Sequence, residues 1–170
     1  MTRTTTIFEG DHLLVKERDG WQYVERKFAT EAVAVVAETD RGEIVLTEQH
    51  RKPVGKRVID FAAGLVGDEK DGPTDPAESA KKELEEETGY TCDSVELLFR
   101  GPTSPGITSE IVSLYRARGV RKHGEGGGVG GENITVHAVP REELREWLRK
   151  KEGEGVLIDA KIGLFAFGRE

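Results

Sequence analysis

The sequence predicts an α+β fold, a mixed sandwich in which strands flank a central helix and further helix closes the chain. Three observations predict it. Apolar runs of strand length lie on both sides of a segment that carries a full set of helix-start signals. More helical pattern follows near the C-terminus. The composition, 36% hydrophobic and 34% charged over 170 residues, suits one core with a solvated shell, at most one domain with a short appendage.

In chain order, the first 30 residues alternate loosely, and Asp19-Gly20 is a two-residue turn signal between Leu13-Leu14-Val15 and Trp21-Gln22-Tyr23-Val24. Residues 1–30 therefore read as an N-terminal antiparallel hairpin and 31–170 as the main domain. Residues 32–37 form a continuous apolar run and 43–47 a further strand, with Asp40-Arg41-Gly42 turning between them. Residues 57–61 lead into Ala62-Ala63-Gly64, and the polar stretch 67–74 reads as a loop. Asp75-Pro76-Ala77-Glu78 then supplies an N-cap, a proline at the first helical position and a glutamate three residues after the cap. The helix is expected to run to Thr88, with Gly89 as its stop. Strands are expected at 95–99, 111–117 and 134–139, a second helix over 141–151 opened by Pro140, and a short apolar helix over 160–167.

Charge narrows the function. Lys and Arg total 25 against 32 Asp and Glu, a net charge of −7. That balance counts against a general nucleic-acid binder, whose affinity comes mostly from basic side chains on phosphates. An anionic ligand must then be met by a local basic patch or a bound cation. No window approaches the roughly 18 to 20 apolar residues of a membrane span, and no signal-peptide pattern opens the chain, so a cytoplasmic protein without a membrane partner is expected. The lone Cys92 makes neither an internal disulfide nor a zinc site.

The most informative segment is Lys81-Lys82-Glu83-Leu84-Glu85-Glu86-Glu87-Thr88-Gly89. At about 100° per residue, Glu87 lies roughly 40° from Glu83 and Glu86 about 60° to its other side, so three carboxylates share one arc while Glu85 points away. Ala77, Ala80 and Leu84 form an apolar stripe beside them, which sets the acidic face at the edge of the core. Like charges three and four residues apart repel by about 0.2 to 0.5 kcal/mol per pair, and the helix dipole disfavours anions in its last turns by roughly 0.3 to 1 kcal/mol. Something cationic should offset them. Lys81 and Lys82 could do so toward Glu85 and Glu86, but Lys-before-Glu is the weaker order and reaches neither Glu83 nor Glu87. Oxygen donors on one face suit a hard cation, Mg²⁺ or Mn²⁺, which keeps several waters and bridges to substrate phosphates.

The stretch from Gly64 to Tyr90 resembles the Nudix box: Gly, five residues, Glu, seven residues, Arg-Glu, an apolar residue, any residue, Glu-Glu, any residue, Gly and an apolar residue. Lys82-Glu83-Leu84-Glu85-Glu86-Glu87-Thr88-Gly89-Tyr90 matches its second half everywhere except Lys82 for Arg. The first half departs. Gly64 lies 18 residues before Lys82 where the pattern has 14, and Thr74 stands where the first Glu is expected, with Glu69 in the longer loop a candidate substitute. The resemblance implies an α/β/α sandwich with a mixed central sheet. It also implies that Glu83, Glu86, Glu87 and the Ala63 carbonyl hold Mg²⁺ or Mn²⁺, Glu83 thereby counting among the catalytic groups. The implied reaction is attack of metal-activated water on a diphosphate.

Outside the box, the N-terminal hairpin, the strand end with Arg51, Ser104-Pro105-Gly106, the strand-Pro140-helix segment and Asp159-Ala160-Lys161 resemble the subgroup that cleaves ADP-ribose and other nucleoside diphosphate sugars. This implies a homodimer whose N-terminal strands help to shape the nucleoside site, and it puts Ser104 among the substrate-binding residues. Arg51, beside His50 and Lys52, could grip a diphosphate in bidentate fashion; the plainer reading is a solvated strand end. Trp21 and Phe28 could stack on a nucleobase, although aromatics in a terminal hairpin also pack cores and interfaces. The run from Gly124 to Glu132 contains a formal GxGxxG, but a strand and not a helix follows it, so it reads as a mobile loop. In the related hydrolases such a loop delivers a Glu as general base or extra metal ligand; Glu132, nearer the following strand, ranks ahead of Glu125. ADP-ribose is the leading substrate and GDP-mannose the second. The alternatives are hydrolysis of nucleoside triphosphates or dinucleoside polyphosphates, and a non-catalytic module that binds a nucleotide sugar.

Overall fold

The computed structural model describes residues 3–29, 31–67, 75–129, 131 and 133–168. At the turn foreseen near the N-terminus, Asp19 and Gly20 both take positive φ, 51° and 82°. This is the turn geometry that matches strand twist, and it joins β2 (Leu13–Arg18) to β3 (Trp21–Arg26). The expected hairpin proves to be a three-stranded sheet, because β1 (Thr4–Glu9) adds antiparallel to β2. β1 is exposed throughout, so no buried face marked it in the sequence.

The main sheet grows from β4 (Glu31–Glu38), whose apolar run is buried on both faces. Its first residues pair antiparallel with β7 (Ala62–Val66) and its last two with β5 (Glu43–Arg51), while β10 (Ile111–Arg118) runs parallel along its other edge. β9 (Ser94–Pro102) pairs β10, β6 (Lys56–Asp60) and β12 (Thr135–Pro140) pair β5, and the short β13 (Leu157–Ile158) pairs β6. A separate two-stranded piece joins β8 (Tyr90–Thr91) to β11 (Arg121–Lys122).

Side chains alternate along β4, and the alternation builds two cores. Val33, Val35 and Ala37 pack with Ala80 and Leu84 of α1 (Pro76–Thr88). Ala34 and Val36 face the other way, toward Leu144 and Leu148 of α2 (Leu144–Gly153) and Ile162 of α3 (Ala160–Phe167). One helix therefore covers one face and two cover the other, the α/β/α sandwich expected.

Helix α1 begins and ends as its sequence dictates. The Asp75 side chain accepts from Ala77 N at 3.0 Å, Pro76 opens the helix, and Gly89 at φ 68° donates to Glu85 O at 2.8 Å. Asp159 caps α3 in the same way. Helix α2 starts three residues later than expected, since Pro140 is still paired with Glu43 and Arg141 N donates to Gly42 O at 2.9 Å. The chain cannot coil until it leaves the sheet. None of the described helices is long and apolar enough to cross a membrane.

Candidate active site

Strand β7 runs beside the last turns of α1, and its small residues allow close contact. The Ala63 N–H donates to Glu87 Oε2 at 3.0 Å, which fixes a carboxylate that is only 4% exposed. One residue on, a β-carbon at Gly64 would overlap the Glu83 carboxylate. Glycine is what makes room for that group. Glu86 lies 3.3 Å from Lys82 Nζ, while Lys81 turns to Glu78 at 2.9 Å instead of Glu85, and Glu85 lies 3.5 Å from His123.

Ala63, Gly64, Glu83, Glu86 and Glu87 line one cavity of about 780 Å³, and Glu85 does not. Arg51 at the end of β5 lines the same cavity. Among the described residues, no three Asp, Glu, His or Cys side chains converge as ligands in the orientations they hold. Their orientations have a local cause: Glu86 leans to Lys82 and Glu87 to the Ala63 amide. The donor set nonetheless fits a hard divalent ion, being oxygen throughout with a glycine cradle beside the Glu83 carboxylate.

A model of the NUDIX domain matches residues 29–158. The chain belongs to the Nudix family. It is 39% identical over 121 residues to a Methanol dehydrogenase activator of Bacillus methanolicus, covering 71% of this chain and 63% of that protein. Over 86 residues it is 42% identical to an ADP-ribose pyrophosphatase of Bacillus subtilis (strain 168), covering 51% and 44%. Over 142 residues it is 33% identical to a GDP-mannose pyrophosphatase of Cronobacter sakazakii, covering 78% and 69%. The matches thus span under two thirds of the first two relatives' lengths. The fold is shared with a crystal structure described as that of an ADP compounds hydrolase, with a TM-score of 0.68 at 19% identity over 88% of this chain and 82% of that one.

Within this Nudix fold the other expected site residues are scattered. Trp21 is 64% exposed and its indole N–H donates to Gly106 O at 3.2 Å. Phe28 is 60% exposed, with the Lys27 ammonium 5.6 Å from its ring centre. Ser104 is exposed and its carbonyl accepts from Ile107 and Thr108 N–H, both at 3.0 Å; its neighbour Thr103 is the one in the cavity wall. Glu125 is exposed and does not line the cavity, whereas Val129 of the same loop does. Glu132, Glu69 and Thr74 lie outside the described residues.

The glycine-rich segment differs most from expectation. The sequence reads there as a mobile loop, but the first half of the segment is docked on the C-terminal end of α1. Gly127 N donates to Glu87 O at 2.8 Å and Gly128 N to Glu86 O at 3.1 Å, while His123 N and Gly124 N both reach Gly89 O. Lys122 Nζ adds a bond to Thr88 O at 2.8 Å. These donors satisfy carbonyls that a helix end leaves unpaired. A β-carbon at Gly126, where φ is +74°, would overlap the Thr88 backbone, so the glycines serve close packing of two main chains.

Sequence reasoning also missed Asp60, Lys161, Arg26 and Glu110 as cavity residues. Arg26 Nε meets Glu110 Oε1 at 2.6 Å. Lys161 Nζ lies 3.1 Å from Asp60 Oδ2 and 2.7 Å from Asp159 Oδ1. Burial pushes the Asp60 carboxyl up to about 6 against the pull of the Lys161 charge. Burial also pulls the Lys161 ammonium down, but Asp60 and Asp159 outweigh it and hold that group above its usual range. Asp159 and Lys161 are neighbours in the sequence, and only the fold brings Asp60, 101 positions before Lys161, to them.

Proposed function

We propose that the protein hydrolyses the diphosphate bond of a nucleoside diphosphate sugar, ADP-ribose first and GDP-mannose second, to a nucleoside monophosphate and a sugar phosphate. The observation that carries this is the shared cavity, lined by Glu83, Glu86, Glu87 and Arg51, in a volume suited to a small-molecule ligand. The names of the Bacillus subtilis and Cronobacter sakazakii relatives support the substrate class.

Mg²⁺ or Mn²⁺, when bound, would neutralise phosphate oxygens and lower the pKa of a water. On this reading Glu83, Glu86, Glu87 and the Ala63 carbonyl hold the ion, and Gly64 keeps Glu83 within reach. Arg51 grips a phosphate oxygen through two N–H groups. A loop glutamate, Glu132 before Glu125, takes the proton of the attacking water as its oxygen bonds to phosphorus and the bridging oxygen departs. Gly127 and Gly128, which precede Glu132 in the chain, are bonded to Glu87 O and Glu86 O. Trp21, Phe28 and Ser104 serve the nucleoside end, and Phe8, Trp21 and Phe28, exposed on and beside the N-terminal sheet, support a homodimer built through it. A cytoplasmic place follows from the substrate class.

The test is release of monophosphate from a panel of nucleotide sugars, triphosphates and dinucleoside polyphosphates, with Mg²⁺ or with chelator. Metal-dependent release from ADP-ribose or GDP-mannose above all others is expected. The second reading, a nucleotide-sugar-binding regulator, is favoured by the likeness to an activator protein and by the Lys82 ammonium already at Glu86. Tight binding of a nucleotide sugar with no turnover of any compound would establish it instead.

A further inference from the structure

We propose that Asp60, Asp159 and Lys161 form a subsite for the hydroxyl groups of the terminal sugar, the part of the substrate beyond the diphosphate. This rests on the nucleoside diphosphate sugar reading and deepens it.

All three residues line the cavity that holds the carboxylate face. Asp60 ends β6 only three residues before Ala63, whose N–H meets Glu87, so Asp60 lies within about 10 Å of chain from the residue that holds the carboxylate face. A group joined directly to the diphosphate falls within that reach.

Asp159 caps α3, and its carboxylate also reaches the ammonium that ties α3 to β6. One ion pair between Lys161 and Asp60 would fasten α3 to β6. The structure places a second carboxylate on the same ammonium, and bringing two carboxylates together costs stability because each disfavours ionisation of the other. Asp60 is only 6% exposed, so the cost is borne at a buried position. The hydrogen bonds are also unevenly spent. Asp159 Oδ1 accepts from both Lys161 N, at 2.9 Å, and Lys161 Nζ, at 2.7 Å. Its Oδ2 has no partner among the described residues. Two of the three ammonium protons are used within the cluster, and one remains.

What remains on offer is carboxylate oxygen to accept and ammonium N–H to donate, side by side. A vicinal pair of hydroxyls answers both, since each hydroxyl donates once and accepts through its lone pairs. A phosphate does not. With both carboxylates ionised the cluster sums to one negative charge, which repels an anion, and phosphate oxygens offer no proton to Asp159 Oδ2. Arg51 and a bound cation are better placed for phosphate on chemical grounds.

The experiment is calorimetric binding of ADP-ribose and of ADP, which lacks the terminal sugar, to the full chain without divalent metal so that binding is read apart from turnover. The variants are Lys161→Met and Asp159→Asn. The second keeps the helix cap, because asparagine caps as well as aspartate, and it carries the test if the first fails to fold. Wild-type protein is expected to bind ADP-ribose more tightly than ADP. Lys161→Met should weaken ADP-ribose at least tenfold and Asp159→Asn at least threefold, with ADP changed less than twofold by either. Equal weakening of ADP and ADP-ribose, an unchanged ADP-ribose affinity in the variants, or a wild type that binds the two alike would overturn the subsite. Discriminating binding without release of monophosphate would retain the subsite and remove the hydrolase reading.

Discussion

Gly64 and the Glu83 carboxylate occupy adjoining space, such that a β-carbon on residue 64 would overlap the carboxylate oxygens. The overlap is with the end of a flexible side chain, so Gly64→Ala displaces Glu83 more than it disturbs the sheet. Activity should fall at least tenfold while stability drops by only about 1 kcal/mol, at the low end for overpacking. Initial rates and urea melts of the same preparation check both halves.

Glu87 is held by a main-chain N–H, an interaction that a glutamine oxygen can also accept. Glu87→Gln should therefore fold normally and lose at least a hundredfold in turnover, as expected when a charged ligand is replaced by a neutral one. Turnover near wild type would take Glu87 out of the site.

Gly126 sits at φ +74° against the Thr88 backbone, where neither main chain can give way. Gly126→Ala should cost about 1 to 3 kcal/mol and undock the loop. Amide hydrogen exchange reads this directly: Gly127 and Gly128, bonded to Glu87 O and Glu86 O, should lose protection, while Leu84 in the middle of α1 should keep it.

Two buried carboxyls bend the pH profile in opposite directions. Burial raises Asp60 from 3.8 to about 6, so between those values the folded protein binds more protons than the unfolded chain, and this group's contribution to stability falls as pH rises. For Glu48, burial opposes ionisation, but hydrogen bonds from Arg57, Lys151 and His137 outweigh it and bring the group from 4.5 to about 2. Its stabilisation is complete above 4.5 and is lost as pH falls toward 2. Thermal melts across pH 2 to 7 should show Asp60→Asn flattening the upper window and Glu48→Gln the lower one.

Much of this arrangement was legible where local chemistry decides structure. Asp75-Pro76 and Gly89 bounded α1, Asp159 opened α3, and Asp19-Gly20 made the N-terminal turn, because caps and two-residue turns are written in neighbouring residues. The helical period alone brought Glu83, Glu86 and Glu87 to one wall. What escaped was set by distant partners. Ala62-Ala63-Gly64 has no β-branched side chain and becomes strand only because β4 pairs with it. The glycines after residue 123 looked like freedom and serve instead as clearance for a main-chain contact with α1. Asp60 and Lys161 meet across 101 positions of sequence, beyond any local pattern.

The central claim, that the α1 carboxylates hold a divalent cation for diphosphate cleavage, is tested most directly by titrating Mn²⁺ under electron paramagnetic resonance. The titration compares wild type with the Glu83→Gln and Glu87→Gln double variant, each with ADP-ribose present. Saturable Mn²⁺ binding by the wild type that the double variant lacks is the predicted result. Equal binding by both proteins, or none by the wild type, would contradict it.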